Sequence, residues 1–113
     1  MEIKQSNIVD GKGLFVTNSH TKGDVIYTLR GTVDTKPCRE SIYIGGGEHI
    51  YDEYGIFMNH SFQPNTEISG KNIVALNTIN SGDEITFDYN SNEINMAAPF
   101  ELNGVKVSGK NIN

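Results

Sequence analysis

The stretch FMNHSFQPNTEI, residues 57–68, places an asparagine, a histidine and a serine in a row, then a proline–asparagine pair, between two apolar flanks. A half-buried strand alternates apolar and polar residues, and a solvent loop lacks such flanks. One interpretation is a turn in which Asn59 and Asn65 bond their own backbone. The other is a functional site built from these polar groups. Motifs elsewhere in the chain distinguish the two interpretations.

The size and composition predict one small domain rich in turns. The chain has 113 residues, of which 36% are hydrophobic and 20% charged, an ordinary balance for a globular protein. A chain of this length buries about two-thirds of the surface that its unfolded form exposes, which is enough for one core. Twelve glycines but only three prolines favour short strands joined by turns. We therefore predict a single, mostly β domain over residues 1–113.

The charge excludes some classes of partner. The net charge is −5 and there is no basic run, so we expect no direct contact with nucleic acid, which needs clustered Lys and Arg. An acidic chain suits a cationic partner, such as a lysine-bearing peptide or a sulfonium cofactor, although many proteins are mildly acidic without a functional reason. Cys38 is the only cysteine, which excludes an internal disulfide and a thiolate-rich zinc site.

The hydropathy pattern predicts an intracellular protein of the cytoplasm or nucleus. The first residues, MEIKQSNIVDGKG, lack the apolar segment of a secretory signal. No apolar run approaches the length of about 18 residues that a membrane helix needs, so we expect no membrane contact.

The secondary-structure pattern consists of short strands. Residues 7–33 resemble two or three strands punctuated by glycines, and NIVALNTI (72–79) and EITFDYN (84–90) each predict a further strand. The segment 34–55 is interpreted as irregular because Gly45, Gly46 and Gly47 fit poorly inside regular structure. The tail holds at most one helical turn near residues 96–98 and ends in a polar segment that we expect to be mobile.

Three motifs bear on function, and each alone has an ordinary alternative. GKGLF (11–15) lets the backbone approach a ligand closely, but it also suits a hairpin turn, and it lacks the third glycine of a dinucleotide fingerprint. His60 has no second histidine at a metal-ligand spacing. Ser61 and Cys38 are poor candidates for a nucleophile that His60 activates. FDY (87–89) suits the end of a half-buried strand.

The order of the motifs carries more information than any one of them. The chain runs G-x-G-L-F, then TKGDVI (21–26), then N-H-S-x-x-P-N (59–65), then GDEITFDY (82–89). This arrangement resembles the SET domain, the β-fold catalytic domain of protein lysine methyltransferases, from about Lys4 to Phe100. The resemblance implies a β-clip fold of several short antiparallel sheets. It also implies a C-terminal pseudoknot in which the N-H-S segment meets the strand that ends at Tyr89, a rare kind of threading. The domain then divides into a variable insert (36–55), a motif core with the pseudoknot (56–89) and a tail (90–113) in the place of a post-SET segment.

The resemblance also implies an activity and a site. The reaction would transfer a methyl group from S-adenosylmethionine to a lysine side chain, with a histone tail in chromatin as the family's common target. Tyr89 would be the catalytic residue, and Phe87 and Tyr89 would line the substrate channel. Phe87 occupies a place where the family carries Phe or Tyr, and Phe there implies addition of more than one methyl. The cofactor would be held by the main chain of Lys12, Gly13 and Leu14, by the Asn59 side chain, by the His60 backbone, by Tyr89 and by stacking on Phe100.

The sequence also departs from the family pattern. Phe62 stands in the place of a common cysteine, Ile56 in that of a common arginine, and FELNGVKVSGK (100–110) carries none of the post-SET zinc cysteines. We therefore expect no metal, and a lid closed by the apolar residues Phe100, Leu102, Val105 and Val107. Small stand-alone members of viral type are dimers, so a homodimer is expected, in a host cell if the source is viral.

Two other functions stay open at this point. One is a catalytically silent SET-fold module that binds a peptide or partner, which the lost cysteines and the short insert favour. The other is a β-clip relative that binds sugars or another surface ligand. Asp52, Glu53 and Glu93 could form an acidic cleft for a basic tail, or only a solvated face. Cofactor binding and turnover separate these possibilities.

Overall fold

The computed structural model describes residues 1–36, 41–89, 100–102 and 105–107. Within these residues lie short strands and one 3-10 turn, Gly55–Phe57. The strands are β1 (Glu2–Gln5), β2 (Lys12–Phe15), β3 (Val25–Thr28), β4 (Thr32–Asp34), β5 (Ile42–Gly45), β6 (Glu48–Tyr51), β7 (Asn59–His60), β8 (Thr66–Ser69), β9 (Asn72–Ala75), β10 (Glu84–Phe87), β11 (Phe100–Leu102) and β12 (Val105–Val107).

The strands form several small sheets. The strand orders are β1-β2-β10-β7, β3-β9-β8, β4-β6-β5 and the hairpin β11-β12. All pairings are antiparallel except that of β7 with β10, which is parallel. This architecture confirms the predicted mostly β fold of short antiparallel sheets. The parallel pair lies where the pseudoknot was predicted.

The core lies where three of the sheets meet. β10 is buried at every position, and β9 buries alternate residues, as expected for a central strand and for a strand covered on one face. The buried apolar residues come from the three sheets and from the connections between them: Leu14, Val16, Leu29, Ile42, Ile50, Met58, Ile73, Ala75, Ile79, Ile85 and Phe87.

The insert is more regular than the sequence predicted. Residues 42–51 form the hairpin of β5 and β6, and Ile42 and Ile50 from it enter the core. Gly45, Gly46 and Gly47 have φ angles of 93°, 61° and 78°, a region that side chains disfavour. The prediction of irregular structure was wrong because the three glycines form the turn of a hairpin.

The tail contains a hairpin that the sequence analysis missed. In it Phe100 pairs with Val107, and Leu102 pairs with Val105. The predicted helical turn near residues 96–98 and the polar end after residue 107 lie outside the described residues.

Candidate active site

The opening motif lies directly along the strand that leads to Tyr89. In the parallel pair, Asn59 lies opposite Thr86 and His60 opposite Phe87. The pairing continues beyond β7, because the Ser61 N–H donates to the Phe87 carbonyl at 3.1 Å. The structure therefore brings Asn59 and His60 next to the end of β10, as predicted.

Asn65 and Thr66 hold the same strand by their side chains. The Asn65 amide donates to the Glu84 carbonyl at 2.9 Å and accepts from the Thr86 N–H at 2.9 Å, so it pairs with β10 as a neighbouring backbone would. The Thr66 hydroxyl donates to the Thr86 carbonyl at 2.6 Å. The interpretation that Asn65 bonds its own backbone was wrong.

Asn59 reaches in the other direction, to the Gly-x-Gly segment. Its Nδ2 donates to the Lys12 carbonyl at 3.0 Å and to Glu84 Oε2 at 2.9 Å, so a local turn is wrong for Asn59 as well. A Cβ on Gly13 would lie 2.3 Å from Glu84 Oε2 and 3.2 Å from Asn59 Nδ2, which leaves no room for a side chain. Lys12, Gly13 and Asn59 are thus brought together as predicted.

Leu14 follows in the same strand, but its side chain is fully buried in the core. Its backbone lies between two strands, opposite Ile3 of β1 and Ile85 of β10. A contact between its main chain and a cofactor stays a prediction.

Glu84 is part of this cluster, and the sequence analysis missed it. Its side chain accepts hydrogen bonds from the Ser6 hydroxyl and from the Asn7 N–H, all at 2.9 Å, in addition to the bond from Asn59. Ser6 in turn accepts from the N–H groups of Ile8 and Val9. A glutamate at the end of a Ser-Gly-Asp turn suggests a solvated charge. The one indication in the sequence that Glu84 is buried was its position at the start of an apolar strand.

Tyr89 is fixed at both its hydroxyl and its backbone. The hydroxyl donates to the Met58 carbonyl at 2.5 Å, and the Tyr89 N–H donates to His60 Nδ1 at 3.0 Å. The ring centroid of Tyr89 lies 5.1 Å from that of His60 and 4.6 Å from that of Phe87. The predicted catalytic residue and the predicted channel residue are therefore in contact.

His60 is held as a neutral ring. Burial lowers its pKa below the usual value, and the Asp88 carboxylate, 3.7 Å from Nδ1, only partly offsets this. Nδ1 also accepts the Tyr89 N–H, which requires that this nitrogen carry no proton. Phe62 packs edge-on against the His60 ring, with 4.3 Å between the ring centroids, so the place of the family's cysteine is taken by an apolar contact.

Comparison with known proteins places this arrangement in a family. The model described as "SET domain" matches residues 11–90, which is more than half of the chain. The protein belongs to the SET domain family. A crystal structure described as a "putative histone methyltransferase" from Plasmodium falciparum is similar in fold, with a TM-score of 0.62 and 24% identity. The match covers 78% of this chain and 94% of that one. No curated protein sequence matches.

Some predicted features of the SET domain lie outside the described part. The Phe100 side chain is one of them, so adenine stacking stays a prediction, as does the apolar lid. Cys38 is another. Among the described residues, no three His, Cys, Asp or Glu side chains come together as metal ligands, and no helix is long and apolar enough to cross a membrane.

The predicted acidic cleft needs correction at Asp52. Its side chain is only 2% exposed, and it accepts hydrogen bonds at 2.8–3.0 Å from the Arg30, Tyr54 and Gly55 N–H groups and from the Tyr27 hydroxyl. Asp52 therefore anchors the 3-10 turn of the SET domain. Glu53 does line an open groove, together with Tyr27, Arg30 and Tyr51, and Glu93 lies outside the described residues.

Proposed function

We propose that this SET domain is a protein-lysine N-methyltransferase that uses S-adenosylmethionine. The observation that carries the proposal is the Tyr89 hydroxyl, which the Met58 carbonyl fixes beside the Asn59–His60 segment. A binding module without turnover has no need of a tyrosine whose hydroxyl, ring and backbone are all held. Such precise placement is what a reaction governed by orientation requires.

The residues near Gly13 fit a cationic cofactor with an amino-acid end. Within the described part of the chain, no group donates to Asn59 Oδ1, so this oxygen is available to accept from an ammonium group. The buried Glu84 carboxylate lies directly behind the Asn59 amide. The Tyr89 and Phe87 rings supply π faces, which attract cations. When bound, the cofactor supplies a methyl group on a positively charged sulfur.

Tyr89 acts on the substrate by orientation. Because its hydroxyl proton is donated to Met58, the hydroxyl oxygen acts toward an amine as an acceptor. The N–H of a neutral lysine amine is such a donor, and accepting it fixes the direction of the amine lone pair. Tyr89 is thus a hydrogen-bond partner of the amine, and its reference pKa of about 10 does not suit a strong base at neutral pH.

The surroundings of Tyr89 favour the neutral form of the amine. A lysine in water has a pKa of about 10.4, so it is almost entirely protonated at neutral pH. Phe87 is 3% exposed and Met58 is 2% exposed, so two buried apolar side chains adjoin Tyr89, which is itself half-buried. Burial in such surroundings disfavours the ammonium form and lowers its pKa.

The first test is calorimetric titration with S-adenosylmethionine and S-adenosylhomocysteine. The wild type should bind both, and Asn59→Ala should lose affinity by about tenfold or more because a hydrogen bond to a charged group is lost. Asn77→Ala, at an exposed bend, is the matched control and should bind as the wild type does. A well-folded wild type that binds neither compound, with or without a basic peptide, would favour the silent binding module.

Turnover is tested at Tyr89. Transfer of labelled methyl to a lysine-bearing peptide should fall by about a hundredfold or more in Tyr89→Phe, because the amine loses its acceptor, while cofactor affinity changes little. If Tyr89→Phe transfers methyl groups as fast as the wild type, the Tyr89 hydroxyl has no role in orienting the amine.

The substrate is proposed at the level of a class, a lysine-bearing protein or peptide. The net charge of −5 suits a basic segment. The description of the Plasmodium protein as a "putative histone methyltransferase" makes histone tails the first peptides to try. We also propose a homodimer, which light scattering would test directly.

A further inference from the structure

Glu84 is a buried carboxylate without a cationic partner in the described part of the chain. It is 9% exposed, and its hydrogen bonds come from Ser6, Asn7 and Asn59. None of the lysines and arginines that the structure describes lies within 4.0 Å of it. Burying a charge costs free energy unless the charge is compensated. The burial of Glu84 beside the candidate site therefore suggests a functional role for its carboxylate.

The contacts of Glu84 fix which way the Asn59 amide points. Asn59 Nδ2 donates to the Glu84 carboxylate and the Lys12 carbonyl, which can only accept. It also lies 3.3 Å from the Ser6 hydroxyl, whose own proton is donated to Glu84. Rotating the amide by 180° would set its oxygen against the carboxylate and the carbonyl, which is repulsive. Oδ1 is therefore directed away from Glu84, and no described residue donates to it.

The Glu84 carboxylate occupies the space that a side chain at position 13 would fill. A Cβ on Gly13 would overlap the Glu84 carboxylate, at 2.3 Å from Oε2 and 2.7 Å from Cδ. The Ser6 hydroxyl then holds the carboxylate from the other side at 2.9 Å to each oxygen. The segments that carry Ser6, Gly13 and Asn59 thus all meet at the Glu84 carboxylate. The pairing of β10 with its neighbours does not require these side-chain contacts.

We propose that Glu84 is the positioning residue for the α-ammonium group of the cofactor. It holds the Asn59 amide so that Oδ1 meets the ammonium, and it places a negative charge behind that oxygen. This inference rests on the proposed function. It adds that recognition of the α-ammonium group depends on Glu84, which acts through Asn59 and does not touch the ammonium.

The test compares ligands that share the adenosine end. S-adenosylhomocysteine carries the ammonium, its desamino analogue has hydrogen in that place, and methylthioadenosine lacks the whole amino-acid end. By calorimetry, Glu84→Gln should weaken S-adenosylhomocysteine about tenfold or more, as expected for a charge-assisted contact, and should change the other two less than about twofold. A role in folding alone would weaken all three alike. Asp83→Asn removes a charge one residue earlier, in the exposed turn, and should bind all three as the wild type does.

Two further measurements keep the outcome decisive. Glu84→Gln in the Asn59→Ala background should cause a smaller loss than in the wild type, because the part of the effect that passes through Asn59 is already gone; an equal loss in both backgrounds would overturn the positioning role. If Glu84→Gln does not fold, Ser6→Ala takes its place, because it removes the hydroxyl that holds the carboxylate; it should weaken S-adenosylhomocysteine more than the other two ligands, and an equal effect on all three would overturn the role of Glu84.

The failures of the two proposals differ. A wild type that binds the three ligands equally, or a Glu84→Gln variant that weakens them equally, overturns the role of Glu84 and leaves the proposed function standing. A folded wild type that binds none of them overturns both.

Discussion

The two regions on either side of Met58 are held together in different ways. The insert before it depends on Asp52, two of whose donors, Tyr54 and Gly55, lie two and three residues away. The pseudoknot after it depends on side chains whose partners lie 19 to 78 residues away. The insert thus combines local bonds with two longer ones, which join Asp52 to Arg30 and Tyr27 over 22 and 25 residues. The hydrogen bonds of Asn59, Asn65 and Tyr89 all join distant segments. Substitutions in the insert should lower stability alone, and those in the pseudoknot should lower stability and cofactor affinity together.

The largest effect is expected at Gly31, which packs against the backbone of Tyr51 in the insert. A Cβ there would lie 1.4 Å from the Tyr51 carbonyl oxygen, so backbone would have to move. Gly31→Ala should lower the free energy of unfolding by about 3 kcal/mol or more, measured by chemical denaturation. Gly47→Ala, whose Cβ would meet nothing within 4 Å but whose φ is 78°, should lose only about 1 kcal/mol. Equal losses in the two variants would contradict the steric argument.

Removal of the Asp52 carboxylate comes next. Burial alone would raise its pKa, but hydrogen bonds from the Arg30, Gly55 and Tyr54 backbone and the Tyr27 hydroxyl lower it overall. The carboxylate therefore stabilises the fold at neutral pH, and this contribution is lost as the pH falls through the lowered pKa. Asp52→Ala leaves these donors unpaired and should cost about 3 kcal/mol at pH 7.

The control for Asp52 is its neighbour. Glu53→Ala, at an exposed position, should change the unfolding free energy by less than about 0.5 kcal/mol. The folded fraction of Asp52→Ala should still bind S-adenosylhomocysteine normally. A loss of affinity there would show that the insert and the pseudoknot are coupled.

Asn65→Ala tests the pseudoknot in the same way. It leaves the Glu84 carbonyl and the Thr86 N–H without their partner and should cost about 2 kcal/mol. Here cofactor affinity should fall as well, since β10 carries both Glu84 and the residues that lead to Tyr89. Asn77→Ala serves again as the control. Unchanged affinity in a destabilised Asn65→Ala would refute the distinction between the two regions.

The sequence predicted the candidate site better than it predicted the insert and the tail. The Gly-x-Gly, N-H-S and F-D-Y motifs are rare enough in this order to specify which segments meet. Asn59 does lie beside the Gly-x-Gly segment and His60 beside Tyr89, while their roles toward a cofactor stay predictions. The β5–β6 hairpin was missed because three glycines were interpreted as a break. The β11–β12 hairpin was missed because its strands have only three residues each.

Burial of polar groups was the other feature that the sequence did not reveal. Asp52 was interpreted as part of an acidic cleft or of a solvated face, and no role was predicted for Glu84. Nothing in a local window indicates donors that come from Arg30, Ser6 or Asn59. Whether a carboxylate is buried depends on contacts between distant segments, and a single sequence carries no direct record of them.

The two buried histidines, His49 in the insert and His60 in the pseudoknot, predict a further pH dependence. Burial lowers the pKa of both, and Asp34 and Asp88 respectively only partly offset it. Because the unfolded chain then binds more protons, stability should be highest above the reference value of about 6.5 and should fall as the pH drops below it. The limit is about 1.4 kcal/mol per pH unit for each histidine.

His49→Phe separates the two histidines. Among the described residues His49 Nδ1 has no hydrogen-bond partner, so phenylalanine removes the titration without breaking a bond. Denaturation between pH 7.5 and 5 should then give a shallower loss than in the wild type, with the remainder due to His60. If the unfolding free energy falls with pH equally steeply in His49→Phe and the wild type, His49 does not contribute to the pH dependence.

The smallest expected change in free energy, under about 1 kcal/mol, has the most specific readout. Phe87 is buried and lies 4.6 Å from the Tyr89 ring, and resemblance to the family assigns its position to control of the number of methyl groups. Phenylalanine leaves room beside the amine, so we expect the wild type to go beyond monomethyl-lysine. A tyrosine hydroxyl would hold a water molecule there, so Phe87→Tyr should shift the products toward fewer methyls. Phe15→Tyr, in a ring buried elsewhere in β2, should leave the product ratio unchanged. Mass spectra that show only monomethyl-lysine from the wild type after long incubation would reject this role and would leave the contact between Phe87 and Tyr89 as packing alone.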